Sequence, residues 1–295
     1  MTETVGFIGV GLMGHGMAKN ILKQGYALTI MGHRNRTPVD NLVSLGAVEA
    51  TSLAQVASNS SIVFLCLPGS PQVEAVVAEL MATLNKGAII VDCSTSDPVS
   101  TLRLGEQLAG QGLHLVDAPL GGTPVQAEEG QLSALVGASQ EVFDRLKPVI
   151  DAWAGTVVHI GGPGDGHKMK LLNNFLSLGY AAMYSEALAL GEKVGISAQT
   201  FDNAIRGSRM DCGFYQTFMA YSLEGNRESH KFTLTNALKD MRYLESMADA
   251  AGLANPIGNA AKNSFAMAVS TGGDGDQDYI PHLVDFVARQ NGIKR

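Results

Sequence analysis

The first residues suited to chemistry are Gly9-Val10-Gly11-Leu12-Met13-Gly14, a Gly-x-Gly-x-x-Gly. With 34 glycines in 295 residues the spacing alone says little. Its setting says more, because it follows the apolar run Val5-Gly6-Phe7-Ile8 and opens a helical pattern over 13–24. Strand, glycine turn and helix in that order make a phosphate cradle. Gly9 permits the tight turn, Gly11 lets backbone N–H groups approach a pyrophosphate, and Gly14 lets helix and strand pack closely. The helix N-terminus then offers unpaired N–H groups and the positive end of its dipole. A dinucleotide is the ligand that such a cradle takes.

About 20 residues after the glycines, an acid would hold the ribose 2′-hydroxyl of NAD. The chain instead reads Met31-Gly32-His33-Arg34-Asn35-Arg36-Thr37. With no acid there, Arg34 and Arg36, with Asn35 between them, suit the 2′-phosphate of NADP. NADP(H) is therefore favoured over NAD, which the glycine loop also accommodates.

A second group lies at Lys168-Met169-Lys170-Leu171-Leu172-Asn173-Asn174. On a helix, Lys170 shares a face with Asn173 and Asn174 at i+3 and i+4. A helical lysine is ordinarily a solvated charge, but asparagine is a poor helix former and two facing a lysine in an apolar stretch are unusual. A lysine partly buried beside a cationic nicotinamide gives up its proton more readily, and so can trade one with a substrate alkoxide near neutral pH.

The elements that must position these groups change character along the chain. Up to residue 160, apolar runs at 5–10, 27–31, 61–67, 88–92, 114–118, 131–136 and 157–160 alternate with helical patterns at 13–24, 72–84 and 99–111. Runs such as Ile62-Val63-Phe64-Leu65 are continuous rather than alternating, as strands covered on both faces require. The pattern predicts an α/β, doubly wound parallel sheet. Gly161-Gly162-Pro163-Gly164 then punctuates the chain. Beyond it the sequence reads as helix over 168–194, 198–205, 214–222, 234–251, 256–270 and 280–290. We place the boundary near Pro163, with a nucleotide-binding domain over 1–163 and an all-α substrate and dimerisation domain over 164–295. The apolar stretch 175–194 suits either core or an intersubunit face, so a homodimer or homotetramer is expected.

The remaining composition excludes other classes. Lys+Arg number 21 against 28 Asp+Glu, a net −7, and no run of five basic residues occurs, so a nucleic-acid role is disfavoured. No apolar stretch reaches membrane-spanning length, and Met-Thr-Glu-Thr lacks a secretory leader's basic start. Cys66, Cys93 and Cys212 are odd in number and far apart, which fits free thiols in a reducing cytoplasm. The seven His residues lack metal-ligand spacing. Residues 274–278, Asp-Gly-Asp-Gln-Asp, are spaced like a calcium loop but lack its sixth-place Gly and twelfth-place Glu, so a helix-capping loop is expected and no metal.

Several spaced motifs together resemble the β-hydroxyacid dehydrogenase family: residues 6–14 with Met17-Ala18-Lys19-Asn20, Asp117-Ala118-Pro119, Ala127 with Gly130, Gly164-x-Gly-x-x-x-Lys170-Leu-x-Asn173-Asn174, and Lys239-Asp240. The resemblance runs nearly the length of the chain. Members of that family include 3-hydroxyisobutyrate dehydrogenase, tartronate semialdehyde reductase and glyoxylate/succinic semialdehyde reductase. It implies a Rossmann domain followed by an all-helical domain, with Lys170 as acid/base and Asn174 holding the substrate. It further implies that Thr95 lies by the nicotinamide, that Leu67 and Pro68 line the dinucleotide, and that Lys239 touches the cofactor or closes the cleft, with Phe232 and Asp240 nearby.

The chain departs from the family at Asp117-Ala118-Pro119-Leu120-Gly121-Gly122-Thr123. Many members have a serine where Gly121 stands, and sulfolactaldehyde reductase has an arginine where Gly122 stands. Backbone N–H groups of Gly122 and Thr123 can still cradle an anion, so a small acidic substrate is expected. Arg209 could supply a further cation, although a solvated arginine is the plainer reading. Imine reductases share the architecture but commonly carry another residue at the Lys170 position. A 6-phosphogluconate dehydrogenase would be much longer. A silent oligomeric binding module is the rival from outside enzymes, opposed by the intact Lys170 and Asn174.

Overall fold

The computed structural model describes residues 3–294; Met1, Thr2 and Arg295, at the outer ends of the two expected domains, lie outside it. The chain divides into two compact units, Met1–Lys170 and Leu171–Arg295.

The first unit begins β1 (Thr4–Ile8), α1 (Gly14–Lys23), β2 (Ala27–Met31), α2 (Thr37–Ser44), β3 (Val48–Ala50), α3 (Leu53–Ser58) and β4 (Ile62–Leu65). It continues α4 (Ser70–Met81), β5 (Ile89–Asp92), α5 (Pro98–Ala109) and β6 (His114–Asp117). A short β7 (Leu120–Gly121), α6 (Pro124–Glu129), β8 (Leu132–Gly137), α7 (Gln140–Ile150) and β9 (Ala154–Gly161) complete it. The strands form one sheet in the order β3-β2-β1-β4-β5-β6-β8-β7, with β9 on β8. From β3 to β6 every pairing is parallel; β8 runs antiparallel to β6 and β7. This is the doubly wound Rossmann order, whose winding reverses between β1 and β4.

The continuous apolar runs are explained by two cores, one on each face. Ile62 and Phe64 of β4 join one core with Met17 and Ile21 of α1, while Val63 and Leu65 join the other with Val73 and Val77 of α4. Successive strand residues point to opposite faces, so a strand covered on both sides cannot alternate. Trp153 is fully buried in the first core, edge-on to Phe64 at 6.2 Å between ring centroids. Trp153→Ala should cost about 3–5 kcal/mol through lost burial and the cavity left behind. A urea titration followed by circular dichroism checks this; a midpoint equal to wild type would show that the site collapses without loss.

The helix α8 (Asp165–Lys193) starts in the first unit and continues as the first element of the second. It is followed by α9 (Ala198–Ile205), α10 (Gly213–Glu224), α11 (Leu234–Ala250), α12 (Pro256–Thr271) and α13 (Leu283–Gln290). These helices share one core around Phe218, Met241 and Phe265. Two readings of the sequence change. The expected helix over 280–290 begins as a 3-10 turn, Ile280–His282, and becomes α-helical from Leu283. Residues 274–278 fold around Asp278, whose carboxylate accepts the Asp274 N–H and lies 3.6 Å from Arg227. Among the described residues, no group of three or more His, Cys, Asp or Glu is arranged to hold a metal ion, and no helix is long and apolar enough to cross a membrane.

Candidate functional site

The glycine loop leaves β1 at the point where the winding reverses, beside the carboxyl end of β4, the place where open α/β sheets take ligands. Gly9 has φ +98°, and a Cβ on it would stand 2.1 Å from the Cys66 carbonyl oxygen that follows β4. A Cβ on Gly14 would stand 2.0 Å from the Gly9 carbonyl. Those two glycines are required by the protein's own backbone. Gly11 is different: a Cβ there would meet nothing within 4 Å, so its missing side chain leaves open space. Leu12 beside it is 82% exposed, whereas Val10 is buried and Met13 packs on the sheet core. No side chain caps α1 at Met13, so the positive end of the helix meets the open space at Gly11 with no side-chain acceptor, although the His15 N–H already donates to the Gly11 carbonyl. The cradle therefore fits a dinucleotide's pyrophosphate.

A residue the sequence reading passed over, Gly16, sets how α1 meets α6: a Cβ there would lie 2.4 Å from the Ala127 carbonyl carbon. Asn20 fastens the same contact, its Nδ2 donating to the carbonyls of Gly16, Ala127 and Glu128.

Past the end of β2, the expected basic residues are not equivalent. Arg34 and Asn35 are exposed, and Asn35 accepts the Thr37 N–H. Arg36 is committed to carboxylates. Its two terminal nitrogens donate to the Glu49 oxygens at 2.6 and 2.9 Å, and one also reaches Asp40 at 2.8 Å. No local pattern points to this partner, because Glu49 sits on a strand of three residues.

The loops after β4 and β5 are stitched together. The Leu67 N–H donates to Ser94 Oγ at 2.9 Å, and the Asp97 N–H donates to Ser70 Oγ. Pro68 is exposed, and Thr95 is half-buried between the fully engaged Ser94 and Ser96. Buried Asp92, ending β5, accepts the Ser94 N–H and the Ser96 hydroxyl. Burial, with Asp92 next, pushes the neighbouring Cys66 thiol up to about 12, and burial raises Cys93 as well. Neither thiol is thereby a nucleophile at neutral pH.

Asp117 and His167 are fully buried and were not expected at the site. Asp117, ending β6, accepts the Gly164 N–H at 2.6 Å and the His167 N–H at 2.7 Å, and so caps the start of α8. Burial pushes its carboxyl above the usual range, against the opposing pull of His167 and of those N–H groups. The His167 Nε2 lies 3.1 Å from the Ser94 carbonyl, which can only accept, so that nitrogen carries a proton. Its Nδ1 lies 2.8 Å from the Thr101 hydroxyl. Lys170 follows one turn along α8 and is half-buried. The helix that carries Lys170 is thus tied both to the loop carrying Thr95 and to the strand that leads to Gly122.

At Gly122 and Thr123 the structure redirects the expectation. The Thr123 N–H donates to Gln126 Oε1 at 2.9 Å and its hydroxyl reaches the same oxygen, while the Gln126 N–H donates back to Thr123 Oγ1. This is a capping box at the start of α6. It already uses both Thr123 groups that an anion would want, leaving the N–H of Gly122.

In the second unit, Asn173 is exposed but Asn174 is buried, so the two asparagines part company. Asn174 Nδ2 donates to Asp240 Oδ2 at 2.7 Å; Asp240 Oδ1 lies 3.3 Å from Lys239, whose ammonium stands 5.5 Å from the centre of the Tyr243 ring. Asn174, Asp240 and Lys239 thereby form one chain of contacts. Phe232 packs against the helical core, and its carbonyl accepts the Ile280 N–H. Arg209 is exposed.

Residues 4–161 match the family described as the NAD binding domain of 6-phosphogluconate dehydrogenase. Residues 164–283 match that described as NAD-binding of NADP-dependent 3-hydroxyisobutyrate dehydrogenase. Glyoxylate/succinic semialdehyde reductase 1 of Arabidopsis thaliana is 30% identical over 96% of this chain and 98% of its own length. The 3-sulfolactaldehyde reductase of Escherichia coli is 29% identical over 93% of each chain. Among solved structures, 3-hydroxyisobutyrate dehydrogenase of Mycobacterium tuberculosis, with L-serine, aligns at a TM-score of 0.87 and 23% identity, covering 97% of this chain and 99% of its own. That last likeness is one of fold.

Proposed function

The chain belongs to the β-hydroxyacid dehydrogenase family of NAD(P)-dependent oxidoreductases, and on that footing we propose that it interconverts a small β-hydroxyacid and its semialdehyde with Lys170 as acid/base. A nicotinamide in the glycine-loop cradle supplies or accepts the hydride. The chain's own part is to bind, orient and move a proton. Gly11 and the first turn of α1 take the pyrophosphate; Leu67, Pro68 and Thr95 line the path toward the nicotinamide end. The substrate's acid group binds at the Gly122 N–H, the Thr123 groups being held by Gln126, and its reacting oxygen faces the Lys170 ammonium, which donates a proton in reduction and takes one back in oxidation. Asn174, one turn beyond Lys170, orients the substrate, and Asp240 fixes that amide. Lys239 contributes to cofactor binding, with Asn173 and Phe232 completing the substrate surroundings. NADP(H) is preferred, through Arg34 and the lack of an acid ending β2.

The observation that supports this reading is the tie from Asp117 to the Gly164 and His167 N–H groups, because it joins the start of the helix carrying Lys170 to the end of the strand that precedes the Gly122 segment. The test is a fluorescence titration with NADPH and NADH, followed by turnover of glyoxylate, succinic, methylmalonate and tartronate semialdehydes and sulfolactaldehyde. Binding of a dinucleotide with turnover of at least one aldehyde is expected. Binding without turnover of any would favour a silent binding module.

We also assign the protein to a reducing cytoplasm and to a homodimer or homotetramer. Leu172, Leu176, Met183, Leu190 and Val194 lie exposed along or just beyond α8 at spacings of 4 and 7, an apolar stripe that a second copy would cover. Sedimentation equilibrium showing only monomer would remove that assignment.

A further inference from the structure

The second strand of a dinucleotide-binding sheet ordinarily ends in the acid that holds the adenine ribose. Here β2 ends Met31-Gly32 with no acid, but the third strand puts one in that place. Glu49 pairs in register with Ile30 of β2. Its side chain reaches over the end of β2: a Cβ on Gly32 would lie 2.6 Å from Glu49 Oε1 and 2.7 Å from Arg36 Nη1. The absence of a side chain at Gly32 is what lets the pair close there. Arg36 holds the Glu49 carboxyl below the usual carboxylate range, so it is ionised at neutral pH.

We propose that Glu49 sets the choice between NADP and NAD, standing in from β3 for the missing strand-end acid and withholding Arg36 from a 2′-phosphate. The inference rests on the dinucleotide reading of the glycine loop and goes beyond it. The bidentate Glu49 contact and the Asp40 contact take up the Arg36 terminal nitrogens. A 2′-phosphate, carrying about −1.5 to −2 charge, would meet two carboxylates before it met that guanidinium, and Arg34 would have to hold it alone. A ribose 2′-hydroxyl is neutral and can donate to the Glu49 carboxylate. The wild-type chain therefore prefers NADPH only weakly, and the restraint comes from a residue on a strand that otherwise only extends the sheet.

The experiment is fluorescence titration of NADPH and NADH on the wild type, Glu49→Gln, Arg36→Gln and the double variant. Glu49→Gln keeps the shape, removes the charge and releases Arg36. It should tighten NADPH by about tenfold, the scale of one charge-assisted hydrogen bond gained when Arg36 is released to the 2′-phosphate, and change NADH by less than about threefold. Adding Arg36→Gln should erase the gain, since the two residues form one coupled pair. Glu49→Ser repeats the test without the amide. An NADPH-to-NADH ratio unchanged in both Glu49 variants would overturn the proposal. So would a gain that persists without Arg36, because it would then be general charge repulsion. Failure of the wild type to bind either dinucleotide would instead remove the cradle reading itself.

Discussion

Lys170→Ala is expected to lower kcat by about 10²–10⁴-fold, the usual contribution of a positioned acid or base, while the Kd for NADPH stays within about twofold of wild type. The contrast follows from where the residue sits. The first turn of α8 is held by Asp117 and His167 through backbone N–H groups and the Ser94 carbonyl, and none of those bonds involves the Lys170 side chain. Truncating it should leave the helix start in place and remove only the proton carrier. Lys170→Arg separates charge from proton transfer, since guanidinium keeps its charge and does not give up a proton near neutral pH. It should be nearly as slow as the alanine variant. Steady-state rates at saturating cofactor, with a binding titration on the same samples, decide the matter. An arginine variant with near-normal kcat would make Lys170 an electrostatic anchor, and an alanine variant within about threefold of wild type would take the acid/base role from it altogether.

Much of the fold was legible because burial on both faces writes itself into the sequence. Val5-Gly6-Phe7-Ile8, Ile62-Val63-Phe64-Leu65 and Ile89-Ile90-Val91 have no polar side because β1, β4 and β5 have none. The strands that went unread were β3 and β7, three and two residues long, too short for any period to show. The cradle was legible for a different reason: the strand, the glycine turn and the helix that form it are consecutive in the chain, although Gly9 also answers to the Cys66 carbonyl beyond β4. The Asp117–His167 bond joins residues 50 apart, and Glu49 meets Arg36 13 residues away; nothing in either local pattern announces the partner. One signal was present and went unused. Thr123-Pro124-Val125-Gln126 carries the spacing of a capping box, which would have warned that Thr123 already has work holding α6 and is not simply an anion donor.

The three cradle glycines should separate under substitution by alanine, and the separation bears on whether the loop holds a ligand at all. Gly9→Ala asks a residue with a Cβ to take φ +98° and to stand 2.1 Å from the Cys66 carbonyl. It should cost about 2–4 kcal/mol of stability, combining backbone strain with a clash against an immovable strand end. For a chain of this size that lowers Tm by about 5–12 °C. Gly14→Ala, at 2.0 Å from the Gly9 carbonyl, should behave alike. Gly11→Ala should not: its φ is not positive and its Cβ would meet no protein atom within 4 Å. Its Tm should stay within about 2 °C of wild type, yet NADPH and NADH should both bind at least about tenfold more weakly, because the methyl would take the space that backbone N–H groups need to reach a pyrophosphate. Thermal melts and titrations on the same three variants distinguish a glycine kept for the fold from one kept for a ligand. If Gly11→Ala melts and binds as wild type does, the phosphates do not cross the loop there; if it melts low, the open space at Gly11 is already spoken for by the protein.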